Sequence, residues 1–97
     1  MRYNMIINFK CKETKKIFEG IISRGLPSQI QRVAMRKLWM LDSAETINDL
    51  RMPPANNFEK LRGNKEGDYS IRINRQWRIQ FKWSNGNAYN IQIIDYH

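Results

Sequence analysis

The sequence predicts an α+β fold, two N-terminal helices packed on one face of a small antiparallel sheet, and three observations carry that prediction. Apolar residues recur at helical spacing through residues 28–41, they switch to strict alternation from residue 69 onward, and a strand-like run at residues 5–9 precedes both. An order of strand, two helices and then an antiparallel meander gathers the helices on one side of the sheet. The chain has 97 residues, which bounds it to a single domain over residues 1–97, and a hydrophobic content of 41% is enough apolar mass for that domain to fold.

Residues 14–18 read as a short helix ended by Gly20, and Ser23-Arg24-Gly25-Leu26-Pro27 reads as a turn. The tetrad Ser28-Gln29-Ile30-Gln31 has the form of a capping box, so a second helix of about fourteen residues is expected to begin near Gln29. Ile30, Val33, Ala34, Leu38 and Leu41 make its apolar stripe, while Arg32, Arg36 and Lys37 make a solvated basic face. A short strand is expected at residues 58–61. Tyr69, Ile71 and Ile73 alternate with Ser70, Arg72 and Asn74; Trp77, Ile79, Phe81 and Trp83 alternate with Arg78, Gln80 and Lys82. Asn74-Arg75-Gln76 is short enough to join these two strands, and Asn85-Gly86 is a strong hairpin signal before a last strand at residues 88–94.

The formal net charge is +8, which points to a polyanionic partner. Residues 10–37 and 58–82 are strongly basic, whereas residues 38–57 carry Asp42, Glu45 and Asp49 against Arg51. Several classes are excluded. The longest apolar runs, residues 5–7 and 38–41, fall far short of the roughly 20 residues that cross a bilayer, and the N-terminus lacks the apolar stretch of a secretory signal, so a cytoplasmic protein with no membrane contact is expected. One cysteine, Cys11, and one histidine, His97, make neither an internal disulfide nor a metal site, and no cofactor is expected.

Alternation turns Arg72, Arg78, Gln80 and Lys82 away from the helices onto one face, a basic platform whose competing reading is an ordinary solvated sheet surface. The loop Leu61-Arg62-Gly63-Asn64-Lys65-Glu66-Gly67 sets two glycines and two bases beside it. Asp95, Tyr96 and His97 end the chain with groups able to move protons, against the competing reading of a frayed terminus. The chemistry that suits these residues is RNA cleavage at its own 2′-hydroxyl without a metal. Arg62, Arg78 and Lys82 would stabilise charge gathering on the phosphate, and Glu59, Asp95, Tyr96 and His97 are the candidate acids and bases. Tyr69, Trp77 and Tyr96 are candidates to stack on bases, with a core role favoured for the first two by strand register. Lys60, Lys65, Arg72 and Lys82 are the candidate RNA contacts, and Arg32, Arg36 and Lys37 of the basic helix are further candidates to touch ribosomal RNA phosphates by charge.

The segments FEKLRGN (58–64), GDYSIRI (67–73), NRQWRIQF (74–81) and IDYH (94–97), with KLWMLDSAETINDL (37–50) and Pro53-Pro54 upstream, resemble the HigB branch of the RelE-type toxins, also known as plasmid-maintenance killer proteins, and especially their GraT-like members. The resemblance implies a RelE-like, microbial-RNase-like fold. It implies the toxin of a type II toxin–antitoxin system, an mRNA interferase that enters the decoding site of the 70S ribosome and cuts mRNA. It also implies a HigA-like helix-turn-helix antitoxin as partner. By position it puts the family's phosphate-binding base on Arg62, its sheet arginine on Arg78 and its terminal acid–base residues on Asp95, Tyr96 and His97. Several relatives carry histidine where this chain has Glu59, so the glutamate either takes over as base or that role is missing. Two alternatives stand beside the nuclease: a non-catalytic ribosome or RNA binder that inhibits growth by occupancy, and an antitoxin partner with little activity. Under the nuclease reading, Arg78→Ala is expected to relieve growth arrest without unfolding the protein.

Overall fold

The computed structural model describes residues 6–61 and 68–95. Residues 6–9 run parallel to the last strand, but in place of the expected strand they make two isolated bridges, Ile6 to Ala88 and Phe9 to Ile91. The cause is local. Asn90, with φ of +54°, sits in a bulge of the last strand, which sets Asn90 and Ile91 against Phe81 alone, and this interrupts a continuous ladder there. Asn8 fills the gap, its Nδ2 donating to Asn90 Oδ1 and its Oδ1 accepting from Asn90 N, both at 3.0 Å.

Helix α1 (Lys12–Phe18) buries Thr14 and Ile17. Gly20, at φ +82°, supplies the left-handed turn after it, as the sequence predicts. Thr14 Oγ1 accepts from Ile93 N at 3.0 Å and so ties α1 to the last strand. Helix α2 (Ser28–Ser43) buries Ile30, Ala34, Leu38 and Leu41 on the predicted stripe. Its capping box is absent: Ser28 is already helical, Pro27 precedes it, and no side chain caps the end. Gln31 instead turns back on the preceding turn, accepting from Ser23 N at 2.9 Å and donating to the carbonyls of Ser23 and Leu26 at 2.7 and 2.8 Å. Ser23 is buried, and enclosed backbone groups need protein partners, whereas an open helix end can use water. A capping box does form at Thr46 and Asp49, opening a 3-10 turn at Ile47–Arg51. There Asp49 accepts from Glu45 N and Thr46 N, and these bonds hold its carboxyl below the usual carboxylate range.

A second 3-10 turn, Pro54–Asn56, and the left-handed Asn57 lead into the sheet. Strands β1 (Glu59–Lys60), β2 (Asp68–Arg72), β3 (Trp77–Ser84) and β4 (Asn87–Asp95) form an antiparallel meander in chain order. The β3–β4 hairpin has φ of +52° at Asn85 and +79° at Gly86, the conformation that this pair of residues predicts. Between β2 and β3, Asn74 Oδ1 accepts from Gln76 N and Trp77 N, each at 2.8 Å.

Ile71, Ile79 and Ile93 sit opposite one another across three strands, and together with Phe81 and Ile91 they pack against Ile17, Ile30, Ala34, Leu38 and Leu41 of the helices. Tyr69 stacks between Phe58 and Phe81 at centroid distances of 5.5 and 6.0 Å, and Trp77 is half-buried against the same cluster, so both belong to the core. Among the described residues no helix is long and apolar enough to cross a membrane.

Candidate functional site

The residues of β2 and β3 that alternate away from the helices form three cross-strand rows: Arg72 opposite Arg78, Ser70 opposite Gln80, and Asp68 opposite Lys82. The sequence reading makes this face an exposed basic platform, but much of it is dry. Ser70, Arg78 and Gln80 are 0%, 4% and 8% exposed. A buried guanidinium is tolerated only when its donors are met, and Arg78 meets them closely. Its Nε donates to Ser70 Oγ at 2.8 Å, its Nη2 to the carbonyls of Asn57 at 2.5 Å and Ser70 at 3.3 Å, and its Nη1 lies 3.3 Å from Glu59 Oε1. The positive charge is thereby fixed in place before any ligand arrives, the arrangement that stabilises developing negative charge at least reorganisation cost. The same bonds give Arg78 a structural role, so Arg78→Ala removes fold energy as well as charge.

Beside this anchored arginine, Asn57, Glu59, Arg72, Asn74, Arg75 and Arg78 line a cleft of about 270 Å³. Glu59 reaches it because it pairs with Ser70 in β1–β2 and so shares the face of Arg72 and Arg78. A larger cavity, about 530 Å³, runs along residues 6–12 and α1, but its lining mixes Lys10, Lys12 and Lys15 with Glu19 and Asp42 and lacks guanidinium groups to grip a phosphate.

The other candidates divide. Lys82 sits at the far end of the face, four residues along β2 or about 13 Å from the Arg72 row. Its Nζ is 2.7 Å from Asp68 Oδ1, and Gln80 Nε2 donates to Asp68 Oδ2 at 3.0 Å. The Asp68 hydrogen bond pushes the Lys82 ammonium above the usual lysine range. Lys60 pairs with Tyr69 in register, one residue out of phase with Glu59, and is exposed at the sheet edge away from the cleft. Asp95 pairs with Trp77 in register, so alternation sets it on the helix side of β4, where its Oδ2 accepts from Gln76 Nε2 at 3.1 Å. Arg62, Lys65, Tyr96 and His97 lie outside the described residues.

Lys37 departs from the basic helix face to which the sequence reading assigns it. Arg32 and Arg36 are exposed there, whereas Lys37 is half-buried and donates to Asn56 Oδ1 at 2.8 Å. Burial, with the Arg72 and Arg78 cations nearby, holds its ammonium below the usual lysine range. Sequence reasoning also leaves Arg75 in the turn, although it lines the cleft; its signal was a base in a hairpin tip directly between two arginine-bearing strands.

A model of the HigB-like toxins, described as RelE-like toxins of type II toxin–antitoxin systems, matches residues 7–97. The chain belongs to this family. This HigB-like toxin is 44% identical over 87 residues to Toxin HigB-1 of Vibrio cholerae, which spans 89% of this chain and 92% of that protein. It is 37% identical over 94 residues to the Endoribonuclease HigB of Proteus vulgaris, covering 96% of this chain and 100% of that one. Among solved structures, the YoeB–YefM complex from Staphylococcus aureus superposes with a TM-score of 0.60 at 21% identity, over 100% of this chain and 99% of that chain. YafQ from Escherichia coli gives 0.51 at 13% identity, over 94% and 91%. These last two likenesses speak to the fold alone, which is the α+β, RelE-like arrangement that the sequence predicts. The HigB-like toxin therefore brings Glu59, Arg72, Arg75 and Arg78 together in one cleft and keeps Lys60, Lys82 and Asp95 out of it.

Proposed function

We propose that this toxin is a ribosome-dependent endoribonuclease that cuts mRNA at its own 2′-hydroxyl and requires no metal. The observation that carries the reading is the cleft, where Arg72 and Arg75 surround an arginine already locked in place and a carboxylate lies 3.3 Å from it. The name of the Proteus relative, an endoribonuclease, supports the reaction class. In this reading the scissile phosphate lies against Arg72, Arg75 and Arg78. Glu59 takes the proton from the 2′-hydroxyl, and the 2′-oxygen bonds to phosphorus. The bond to the 5′-oxygen breaks, leaving a 2′,3′-cyclic phosphate, and the departing oxygen takes a proton from the chain end. Tyr96 and His97 are assigned as that donor pair and Arg62 as a further phosphate ligand, following the family resemblance, while Asp95 anchors the strand end through Gln76. The partners are a HigA-like helix-turn-helix antitoxin and the decoding site of the ribosome, which makes the setting cytoplasmic.

One observation favours a second reading. Glu59 faces Arg78 across an ion pair, and if that pair persists on RNA the base is lost and the toxin inhibits by occupancy alone. Primer extension on mRNA, with and without ribosomes, tests both. Codon-phased cuts that need ribosomes are expected; growth arrest with intact messages would overturn the nuclease and leave the binder.

A further inference from the structure

We propose that Lys37, from the helical layer, is a further RNA-binding cation at the margin of the cleft, held by Asn56, the neighbour of cleft-lining Asn57, to engage a backbone phosphate of single-stranded RNA. This rests on the RNA-cleft reading above and moves Lys37 from the solvated helix face, where the sequence reading sets it with Arg32 and Arg36 as a contact by charge alone, to a defined position next to the cleft.

The geometry begins at Asn56, which is fully buried. Its Nδ2 is committed to the carbonyls of Leu50 at 3.1 Å and Met52 at 3.4 Å and to Met40 Sδ at 3.1 Å, so its Oδ1 has a defined direction, and Lys37 Nζ takes it at 2.8 Å. The next residue, Asn57, offers its carbonyl to Arg78. One short turn thus holds the acceptors of both cations and sets Lys37 and Arg78 relative to each other. A surface lysine ordinarily extends its head into water; this one is turned inward against a neutral amide with no gain in charge pairing from it.

The charges that act on Lys37 come from both strands behind the cleft, Arg72 on β2 and Arg78 on β3, and both repel it. The cleft carboxylate among the described residues, Glu59 on β1, is paired with Arg78. Lys37 does not itself line the cleft, but like charges set near one another raise the free energy of the empty state, and a phosphodiester bound at the cleft margin relieves them together. Binding should therefore bring the Lys37 ammonium back up toward the ordinary lysine range. A lysine that only tied α2 to the turn could feel the field of bound RNA, but its replacement by Met would leave the salt slope of binding unchanged.

The test uses the full chain and a 2′-O-methyl RNA hexanucleotide, which binds but cannot be cut. The Lys37 side chain is titrated by NMR, free and saturated, alongside hexanucleotide binding by Lys37→Met, Arg72→Ala and Arg75→Ala. The expected result is an upward move of the Lys37 titration in the complex, with Lys37→Met weakening binding about tenfold at low salt and reducing the salt slope by about one charge. The wild-type titration stands even if the variant folds poorly. An unchanged titration, or an unchanged salt slope in folded Lys37→Met, with Arg72→Ala and Arg75→Ala still weakening binding, overturns this inference alone. Wild-type affinity in both arginine variants overturns the RNA-cleft reading as well.

Discussion

On the helix side of the sheet, Ile71 and Ile79 are 0% exposed; on the other side, one residue away in each strand, Ser70 is 0% and Arg78 4% exposed. At these positions the two faces are equally dry, yet they are held by different forces. The helix side relies on apolar burial, which has no direction and tolerates substitutions of similar volume. The cleft side relies on hydrogen bonds to particular acceptors, where one missing partner leaves a buried group unsatisfied. A sheet face built in the second way specifies where a charge sits to within a bond length, which is what phosphate chemistry requires and apolar packing cannot supply.

Substitutions can break this comparison from either side. Phe81→Ala, which empties a large fully buried site on the helix side, is expected to cost about 3–5 kcal/mol in urea unfolding. Arg78→Ala should cost about 2–3 kcal/mol, because it strands Ser70 Oγ and the Asn57 carbonyl, while the loss of half-exposed Glu59 as a partner adds little. The same variant should lower cleavage at least 100-fold in primer extension. Wild-type stability in Arg78→Ala would show that the bonds on this face do not hold it together. Arg72→Ala and Arg75→Ala sharpen the contrast, since both should fold within about 0.5 kcal/mol of the parent yet cut RNA about tenfold more slowly.

The smallest effect concerns the two lysines of this region, whose titrations move in opposite directions. Lys82 is raised by Asp68, so its contribution to stability is present below the ordinary lysine value of 10.5 and is lost as pH rises through the higher folded value. Lys37 is lowered, so its charge weighs against the fold until pH rises through its folded value, and stability should gain there. Thermal unfolding followed from pH 8 to 11 should show Asp68→Asn losing the decline at the upper end and Lys37→Met losing the gain at the lower end. Identical pH profiles for the parent and both variants would refute the opposed shifts.

Much of the architecture was legible because its signals are local. The stripe of Ile30, Ala34, Leu38 and Leu41, the alternation through Ile71, Ile79 and Ile93, and the Asn85-Gly86 turn each depend on residues a few positions apart, where backbone geometry sets the period. The capping box at Ser28 failed on the same scale, because the buried turn at Ser23 competed for Gln31 and won. The candidate site was legible in part: Arg72, Arg78 and Glu59 were singled out, Lys37 was read as an RNA contact only through the solvated basic face of its helix, and Arg75 was left in a turn.

Composition, periodicity and turn chemistry by themselves determined that this chain would be a basic α+β protein with Arg72 and Arg78 on the side of the sheet away from the helices. Only the tertiary structure decided which of its charges would be buried, which would meet in a cleft and which would be kept apart. The reason is the range of the interactions: Asn57 lies 21 residues from Arg78 and Asn56 lies 19 from Lys37, and no local pattern announces which distant carbonyl will satisfy a buried cation.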